Sequence, residues 1–205
     1  MHTLMHHTRE DGTPYPVEEC HIYEAFRRGE GTHMDDEVMW RNDGSSFPAE
    51  YWSRPIHRHG SVIGTVVTFV DITERKQAEQ QMRLQTAALE SAANGIAITD
   101  LEGRILWINP AFTRLTGYSG GEILGQTLRV LKSGEQGSDF YHNLWQTILS
   151  GEVWQGELVN QRKDGTLYTD DTTITPVRDV SGALTHFVAI KQDVTERRRS
   201  EQALQ

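Results

Sequence analysis

The same block of sequence occurs twice in this chain, and such an internal repeat constrains the fold more than any other feature. The two copies are residues 35–75 and 154–197. In each copy an Asp-Gly pair, at 43–44 and 164–165, separates two stretches that predict the strands of a tight hairpin. A third stretch ends in Asp-Ile-Thr-Glu-Arg or Asp-Val-Thr-Glu-Arg, which predicts the start of a helix. Each copy is therefore predicted to form three consecutive antiparallel strands that lead into a helix.

An Asp-Gly hairpin, a third strand and a closing D-[IV]-T-E-R are together similar to the C-terminal half of a PAS domain. In the second copy, residues 95–100, 103–109 and 112–125 also resemble the N-terminal half of that family. The resemblance implies an α+β fold of the PAS type, with a five-stranded antiparallel sheet and helices on one face. It implies no particular chemistry, because a common fold hosts many functions.

The repeat and the resemblance divide the chain into four predicted segments. Residues 1–71 are expected to form a partial PAS module, its C-terminal half, with a short helix over 17–28 before its strands. Residues 72–93 are expected to form a connecting helix, 94–194 a complete PAS domain, and 195–205 the start of an output linker helix. Two explanations of the partial module stay open: the sequence starts part-way through a domain, or another chain supplies the missing strands.

The connecting segment contains neither Gly nor Pro and is dense in good helix formers. Apolar and small residues recur in it at alternating spacings of four and three, as in a coiled-coil seam: Ala78, Met82, Gln85, Leu89 and Ala92. Alanine and glutamine hold such a seam less firmly than leucine does, which suits a helix that shifts between two packings and equally a helix that pairs only marginally. The seam predicts a homodimer.

Composition excludes several classes of partner and compartment. The formal net charge is −9, with 29 acidic against 20 basic residues, which argues against a nucleic acid or an anionic membrane as the main partner. No apolar run approaches the roughly 20 residues that span a bilayer, and residues 1–11 lack the apolar core of a signal peptide. The single cysteine, Cys20, fits a reducing compartment, so the cytoplasm is predicted.

Histidines are concentrated near the start of the chain, where seven of the nine lie within the first 59 residues, as does Cys20. A metal site is one interpretation of this cluster. No member has a recognisable ligand spacing, however. The sequence therefore favours scattered surface histidines and no metal site.

One polar residue of the second copy is predicted to point into the protein interior. The period of two along a strand places Trp154, Gly156, Leu158, Asn160 and Arg162 on one face, and Leu158 marks that face as inward. A buried amide at Asn160 needs hydrogen-bond partners, which can be the backbone, water or the polar edge of a planar heterocycle.

The stretch from Leu144 to Gly165 is similar to flavin-binding PAS domains of redox sensors, such as those that regulate nitrogen fixation and methane oxidation. The resemblance implies FAD as a possible cofactor, with Trp145 and Asn160 against its ring. Two departures are Leu128 and Ala97, where the family has polar residues. The alternative is that Asn160 is satisfied locally and the tryptophans are core residues. The candidate cofactor-binding residues are Trp145, Asn160, Trp154, Asn109, Gly156 and Leu128.

Other chemistries are disfavoured by specific residues. Leu128 occupies the position at which blue-light PAS domains carry the cysteine of the flavin adduct, so no thiol is available there. His142 lacks the pattern expected around a haem-binding histidine. The sequence contains no hydrolase, metalloprotease or phosphate-loop motif, and Asp170 and Asp171, as strand neighbours, point to opposite faces. The chain is therefore predicted not to be an enzyme.

The sequence as a whole predicts a cytoplasmic sensory module of a bacterial signal-transduction protein. The expected output domain, which follows it, is of the histidine kinase (two-component) or diguanylate cyclase type, and the stimulus is the redox state of a flavin in the second PAS module. The alternative is a cofactor-free module for dimerisation and relay. At most one cofactor per chain is expected, because Trp40 is expected at the position that Asn160 has in the second copy.

Overall fold

The computed structural model describes residues 2–204, and the chain divides into two compact units, one up to Arg83 and the other from Leu84. The first unit contains a three-stranded antiparallel sheet in the order β1-β2-β3. Its elements are α1 (His2–Met5), a 3₁₀ turn (Val17–Glu19), α2 (His21–Arg28), β1 (Thr32–Trp40), β2 (Ser46–Arg58) and β3 (Ser61–Asp71).

The second unit contains a five-stranded antiparallel sheet in the order β5-β4-β8-β7-β6, which confirms the predicted α+β architecture. A long helix, α3 (Thr73–Ser91), includes the unit boundary. The elements that follow are β4 (Gly95–Thr99), β5 (Ile105–Ile108), α4 (Pro110–Thr116), α5 (Gly120–Ile123), a 3₁₀ segment (Leu128–Leu131), α6 (Ser138–Leu149), β6 (Trp154–Gln161), β7 (Leu167–Arg178), β8 (Leu184–Asp193) and α7 (Thr195–Ala203).

The predicted hairpins form at both Asp-Gly pairs through the same local contacts. Gly44 and Gly165 have φ of +82° and +88°, a conformation that side chains with a Cβ disfavour. The Asp164 carboxylate accepts a hydrogen bond from the Thr166 backbone N–H at 2.9 Å, and Asp43 does the same for Ser45. These turns set the strand register, which decides which side chains face the interior.

The last strand of each sheet ends in the same tight turn before a helix. The Asp71 carboxylate accepts a hydrogen bond from the Thr73 backbone N–H at 2.9 Å, and Asp193 accepts one from the Thr195 N–H at 2.9 Å. Each carboxylate fixes the direction of the chain as it turns from the strand into the helix. These hydrogen bonds connect the end of the last strand directly to the first turn of the following helix.

The core of the second unit lies between the sheet and its helices. Leu144 and Ile148 of α6 pack against Leu158 of β6, Ile174 of β7 and Phe187 of β8. A second cluster joins β4, β5, α4 and α5 through Ala97, Ile105, Phe112 and Ile123. Burial of these side chains supplies the main driving force for folding of this unit.

The prediction that the histidines lie scattered on the surface is wrong for His2 and His6. His6 is 1% exposed and His2 is half-buried, because α1 and the segment after it pack against the sheet of the first unit. Cys20, at the start of α2, is buried beside them. No helix within residues 2–204 is long and apolar enough to cross a membrane.

Candidate functional site

The second unit contains a partly open cavity of about 90 Å³ between its sheet, the 3₁₀ segment and α6. One part of its wall is apolar and comes from the helices and the sheet: Leu128, Leu131, Leu144, Trp145, Ile148, Leu158, Ile174, Phe187 and Ala189. The polar groups that line it include Thr99, Asn160, Thr172 and Lys191, all on inward positions of strands. An apolar cavity with a few convergent polar groups is the usual form of a small-molecule site.

A buried ion pair organises the polar side of this cavity. The carboxylate of Asp170 is 0% exposed, and the ammonium of Lys191 donates to its Oδ2 at 2.9 Å. Thr172 donates its hydroxyl to Asp170 Oδ1 at 2.9 Å, and the Asn160 amide Nδ2 lies 3.2 Å from Oδ2. Burial of a carboxylate without hydrogen-bond donors would be strongly unfavourable. The three donors on Asp170 compensate for the loss of its hydration.

Two groups of this cluster keep hydrogen-bonding capacity for a ligand. The Lys191 ammonium carries three N–H donors, and Asp170 and Thr172 use two of them. The Asn160 amide donates to Asp170, and its oxygen accepts no hydrogen bond from any residue between 2 and 204. The site can therefore offer both a donor and an acceptor to one molecule.

Tyr141 on α6 contributes a further polar group to the cavity wall. Its hydroxyl is buried and has no hydrogen-bond partner among the described residues. Burial, with a smaller contribution from the charge of Asp170, raises the pKa of Tyr141, so the group stays a neutral hydroxyl. A buried hydroxyl without a partner costs free energy that a ligand or an ordered water recovers.

Trp145 forms one side of the cavity. Its indole packs edge-on against Phe187, with ring centroids 6.1 Å apart, and covers Gly103, where an added Cβ would lie 3.0 Å from the ring. The indole itself is only half-buried. Trp145 is therefore one part of the wall with solvent on its outer side.

The structure brings three of the six predicted cofactor residues together. Trp145, Asn160 and Leu128 all line the cavity. Leu128 also joins the two apolar clusters of the second unit, against which it packs. A role in cofactor binding requires that these residues line one cavity, as they do. The role itself stays a prediction.

The other three predicted residues lie outside the cavity lining. Trp154 and Gly156 are on the inward face as predicted, but the indole of Trp154 packs edge-on against Phe140 at 5.6 Å. The same indole covers Gly156 so closely that an added Cβ would lie 2.8 Å from it. Trp154 is thus a core residue, and Gly156 is small because that ring needs the space.

Asn109 has a structural role in place of the predicted cofactor role. Its Oδ1 accepts hydrogen bonds from the backbone N–H of Phe112 at 2.9 Å, which caps α4, and of Ile96 at 2.8 Å. Its Nδ2 donates to the carbonyl oxygens of Leu89 and Asn94. Both ends of the amide are satisfied by the backbone, so no group remains for a ligand.

Sequence reasoning missed Asp170, Thr172 and Lys191, which form the centre of the polar cluster. The opposite orientation of Asp170 and Asp171 was predicted and is confirmed, since Asp170 is buried and Asp171 is partly exposed. The period of two on β8 could have predicted that Lys191 points inward, because it follows the buried Phe187 and Ala189 at a spacing of two residues. A lysine on an apolar inward face requires a buried anion nearby.

Within residues 2–83, the described part of the first unit, the corresponding strand positions do not repeat this cluster. Counted back five residues from the turn glycines Gly44 and Gly165, the position of Asn160 corresponds to Met39, so the expectation of Trp40 there is wrong. Met39 is buried with its neighbours on β2, whereas Trp40 donates its indole N–H to the Thr8 carbonyl. By the same strand pairing, Asp170, Thr172 and Lys191 correspond to Ala49, Tyr51 and Phe69.

The chain is similar in sequence to two proteins whose names describe regulators. The chain is 40% identical over 126 residues to the nitrogen fixation regulatory protein of Klebsiella oxytoca, and the match covers 62% of this chain and 26% of that protein. It is 36% identical over 130 residues to the bacterioopsin transcriptional activator of Halobacterium salinarum, covering 62% of this chain and 19% of that protein. The chain thus spans about a quarter or less of the relatives it matches.

A solved structure and a family model give the assignment. The structure of an RNA-binding light-oxygen-voltage receptor superposes with a TM-score of 0.55 at 16% identity, over 88% of this chain and 82% of that one, which shows a shared fold. The PAS domain family model matches residues 12–74 and 93–196, which together make up most of the sequence. With the five-stranded antiparallel sheet and its helices, these matches show that the chain belongs to the PAS domain family.

Proposed function

We propose that the chain is the sensory part of a bacterial signalling protein, with two PAS modules in tandem and FAD as the redox-sensing cofactor of the second. The observation that carries this proposal is the polar cluster around Asp170 in an otherwise apolar cavity, facing an unpaired hydroxyl at Tyr141. The similarity to a nitrogen fixation regulatory protein supports it.

The donor set of the cavity fits a planar heterocycle with one polar edge. The Asn160 amide and the Lys191 ammonium can bind ring carbonyl and imide groups, and Trp145 supplies a flat apolar surface. A flavin in this position supplies reversible electron transfer. The residues that would hold it are Asn160, Lys191, Trp145 and Tyr141.

The volume of the cavity sets a condition on this binding. An apolar cavity of about 150 Å³ accommodates benzene, and the present cavity measures about 90 Å³. A three-ring system therefore enters only if part of the wall moves outward. Trp145 is the residue we expect to move, since its outer side faces solvent.

The sensing step that we propose acts on β8 and its exit. Lys191 lies two residues before Asp193, whose carboxylate accepts from the Thr195 N–H at the start of α7 and pairs with Arg162 at 2.7 Å. A change of charge at the polar edge of the ligand would alter the attraction between Lys191 and Asp170, and with it the position of β8. The trailing helix would then shift between two states.

The remaining parts of the proposal concern the full-length protein. We propose that it acts in the cytoplasm as a homodimer paired along residues 72–93, and that residues 195–205 lead to an output domain of the histidine kinase or diguanylate cyclase type. The apolar side chains of α3 support the pairing, since Met82 is 69% exposed in the single chain. The regulatory relatives support a signalling output.

A cofactor-free relay module is the second candidate, and one observation favours it. The Asp170 carboxylate already has three donors, so the cluster is electrostatically complete without a ligand. In this case the cavity holds ordered water, for which about 90 Å³ is ample.

Reconstitution with FAD separates the two candidates. The whole chain is incubated with FAD under oxidising and under reducing conditions, excess flavin is removed, and the visible absorption band of the ring is recorded. The redox-sensor proposal requires retained flavin in at least one condition. If the parent protein retains none in either, the proposal fails and the relay candidate stands.

A further inference from the structure

Two histidines and the single cysteine of the chain meet inside the first unit, away from the cavity described above. His2, His6 and Cys20 each offer one ligand atom, and the three atoms lie within 4.8 Å of one another. His6 and Cys20 are each 1% exposed. The three residues come from α1, from the segment after it and from the start of α2, so only the folded unit brings them together.

In each of the two imidazoles one ring nitrogen contacts an oxygen acceptor, and the other nitrogen lies on the side of the cluster. His2 Nε2 lies 2.9 Å from the Tyr15 carbonyl oxygen, which can only accept, so this nitrogen carries the proton. His2 Nδ1 is therefore a lone-pair nitrogen, and it is buried with no hydrogen-bond partner among residues 2–204. A buried lone pair without a donor is an uncompensated cost in the protein alone.

His6 shows the same division between its two nitrogens. Its Nε2 contacts the carboxylate of Glu37, and its Nδ1 lies 3.3 Å from Cys20 Sγ. Metal-bound histidines almost always hold an oxygen acceptor on the nitrogen that does not bind the metal. Tyr15 and Glu37 supply that acceptor for His2 and His6 respectively.

We propose that the first unit binds one zinc-class metal ion through His2, His6 and Cys20, with a fourth position for water or an outside ligand. A thiolate and two imidazoles are the ligand types that zinc prefers. On binding, the Cys20 thiol releases its proton to solvent. The ion would pair with the orphaned nitrogen of His2.

The geometry requires only a small contraction. Bond lengths of about 2.0–2.3 Å in a tetrahedral site separate neighbouring ligand atoms by roughly 3.3–3.8 Å. The present separations, up to 4.8 Å, close to that range with side-chain movements of about 1 Å. The rings of Tyr15 and Tyr51 pack edge-on against His6, with centroids 4.8 and 5.9 Å away, and hold its imidazole in place.

Titration of the whole chain with Co²⁺ tests the proposal, because a cobalt–thiolate bond gives a charge-transfer band in the near ultraviolet. We expect one Co²⁺ per chain, displaced by Zn²⁺. Cys20→Ser should abolish the band, and His2→Ala should weaken Co²⁺ binding at least about tenfold. His7→Ala is the matched control, since His7 is exposed and stacks on Trp40, and it should bind Co²⁺ as the parent does.

A second readout guards against variants that fail to fold. Zn²⁺ should raise the melting temperature of the parent and of His7→Ala, because a ligand that binds only the folded state stabilises it. It should raise that of His2→Ala by less at the same Zn²⁺ concentration, and this variant should fold, since the substituted side chain is only half-buried. The absence of a charge-transfer band in the parent, or equal Co²⁺ affinity in the parent and His2→Ala, would overturn the proposal.

Discussion

Replacement of Lys191 by methionine is expected to destabilise the second unit far more than any surface substitution. The change preserves side-chain length and removes the ammonium, which leaves the fully buried Asp170 carboxylate with only Asn160 and Thr172 as donors. Removal of one partner from a buried ion pair costs about 3–5 kcal/mol, because the remaining charge is left uncompensated. At about 4 °C per kcal/mol for a unit of this size, the melting temperature should fall by roughly 10–20 °C.

Differential scanning calorimetry of the whole chain measures this effect on the transition of the second unit. Lys163→Met is the matched control, because the pair of Lys163 with Glu122 is exposed and the same chemical change there should leave the transition in place. The double variant Asp170→Leu/Lys191→Met removes both charges and should recover most of the loss. A Lys191→Met shift no larger than that of the control, or a double variant less stable than Lys191→Met, would refute the account of the cluster.

Three further predictions follow from other parts of the structure. Asn109→Ala should lower the free energy of unfolding by about 2–4 kcal/mol in urea titration, because it removes the side-chain acceptor of the buried Ile96 N–H and the side-chain cap of α4, while it leaves any flavin affinity unchanged. The double substitution Met82→Lys/Leu89→Lys places like charges along the seam of α3 and should convert a dimer to a monomer in light scattering; an unchanged mass would exclude α3 as the interface. Flavin should bind at no more than one per chain in equilibrium dialysis, because Met39, Ala49 and Phe69 replace the polar cluster in the first unit, and two per chain would contradict this.

Turn and cap chemistry made the fold readable from the sequence. The Asp-Gly pairs and the closing Asp-x-Thr are local signals, and the hydrogen bonds they predict are present at both copies. The period of two placed Asn160 inward correctly for the same reason. Asn109 had a local signal that was overlooked, since an asparagine directly before a proline is typical of a helix N-cap.

The contacts between side chains in the site could not be predicted from local signals, because they depend on the register between strands that lie far apart in the sequence. Asp170 and Lys191 lie 21 residues apart, and their contact requires the pairing of Thr172 with Lys191 that only the β7–β8 turn determines. Trp154 shares a face with Asn160, yet its ring packs over Gly156 and does not reach the cavity. The period of two predicts the face of a residue but not its side-chain rotamer. His6 and Cys20 meet through tertiary packing without any ligand spacing in the sequence.

The affinity of FAD for the parent and for Asn160→Leu tests the central claim most directly. Loss of the amide strands ring groups in a dry interior at about 1–3 kcal/mol each, so the dissociation constant should rise roughly ten- to hundredfold. Asn143→Leu, on the exposed side of α6, is the matched control and should bind as the parent does. Because Asn160 also donates to Asp170, a melting curve of each flavin-free variant accompanies the titration, and Trp145→Phe should lose less affinity than Asn160→Leu. A tight parent complex that Asn160→Leu weakens, in a variant still folded at the temperature of the assay, is the predicted result; equal affinity in the parent and the folded Asn160→Leu variant would contradict it.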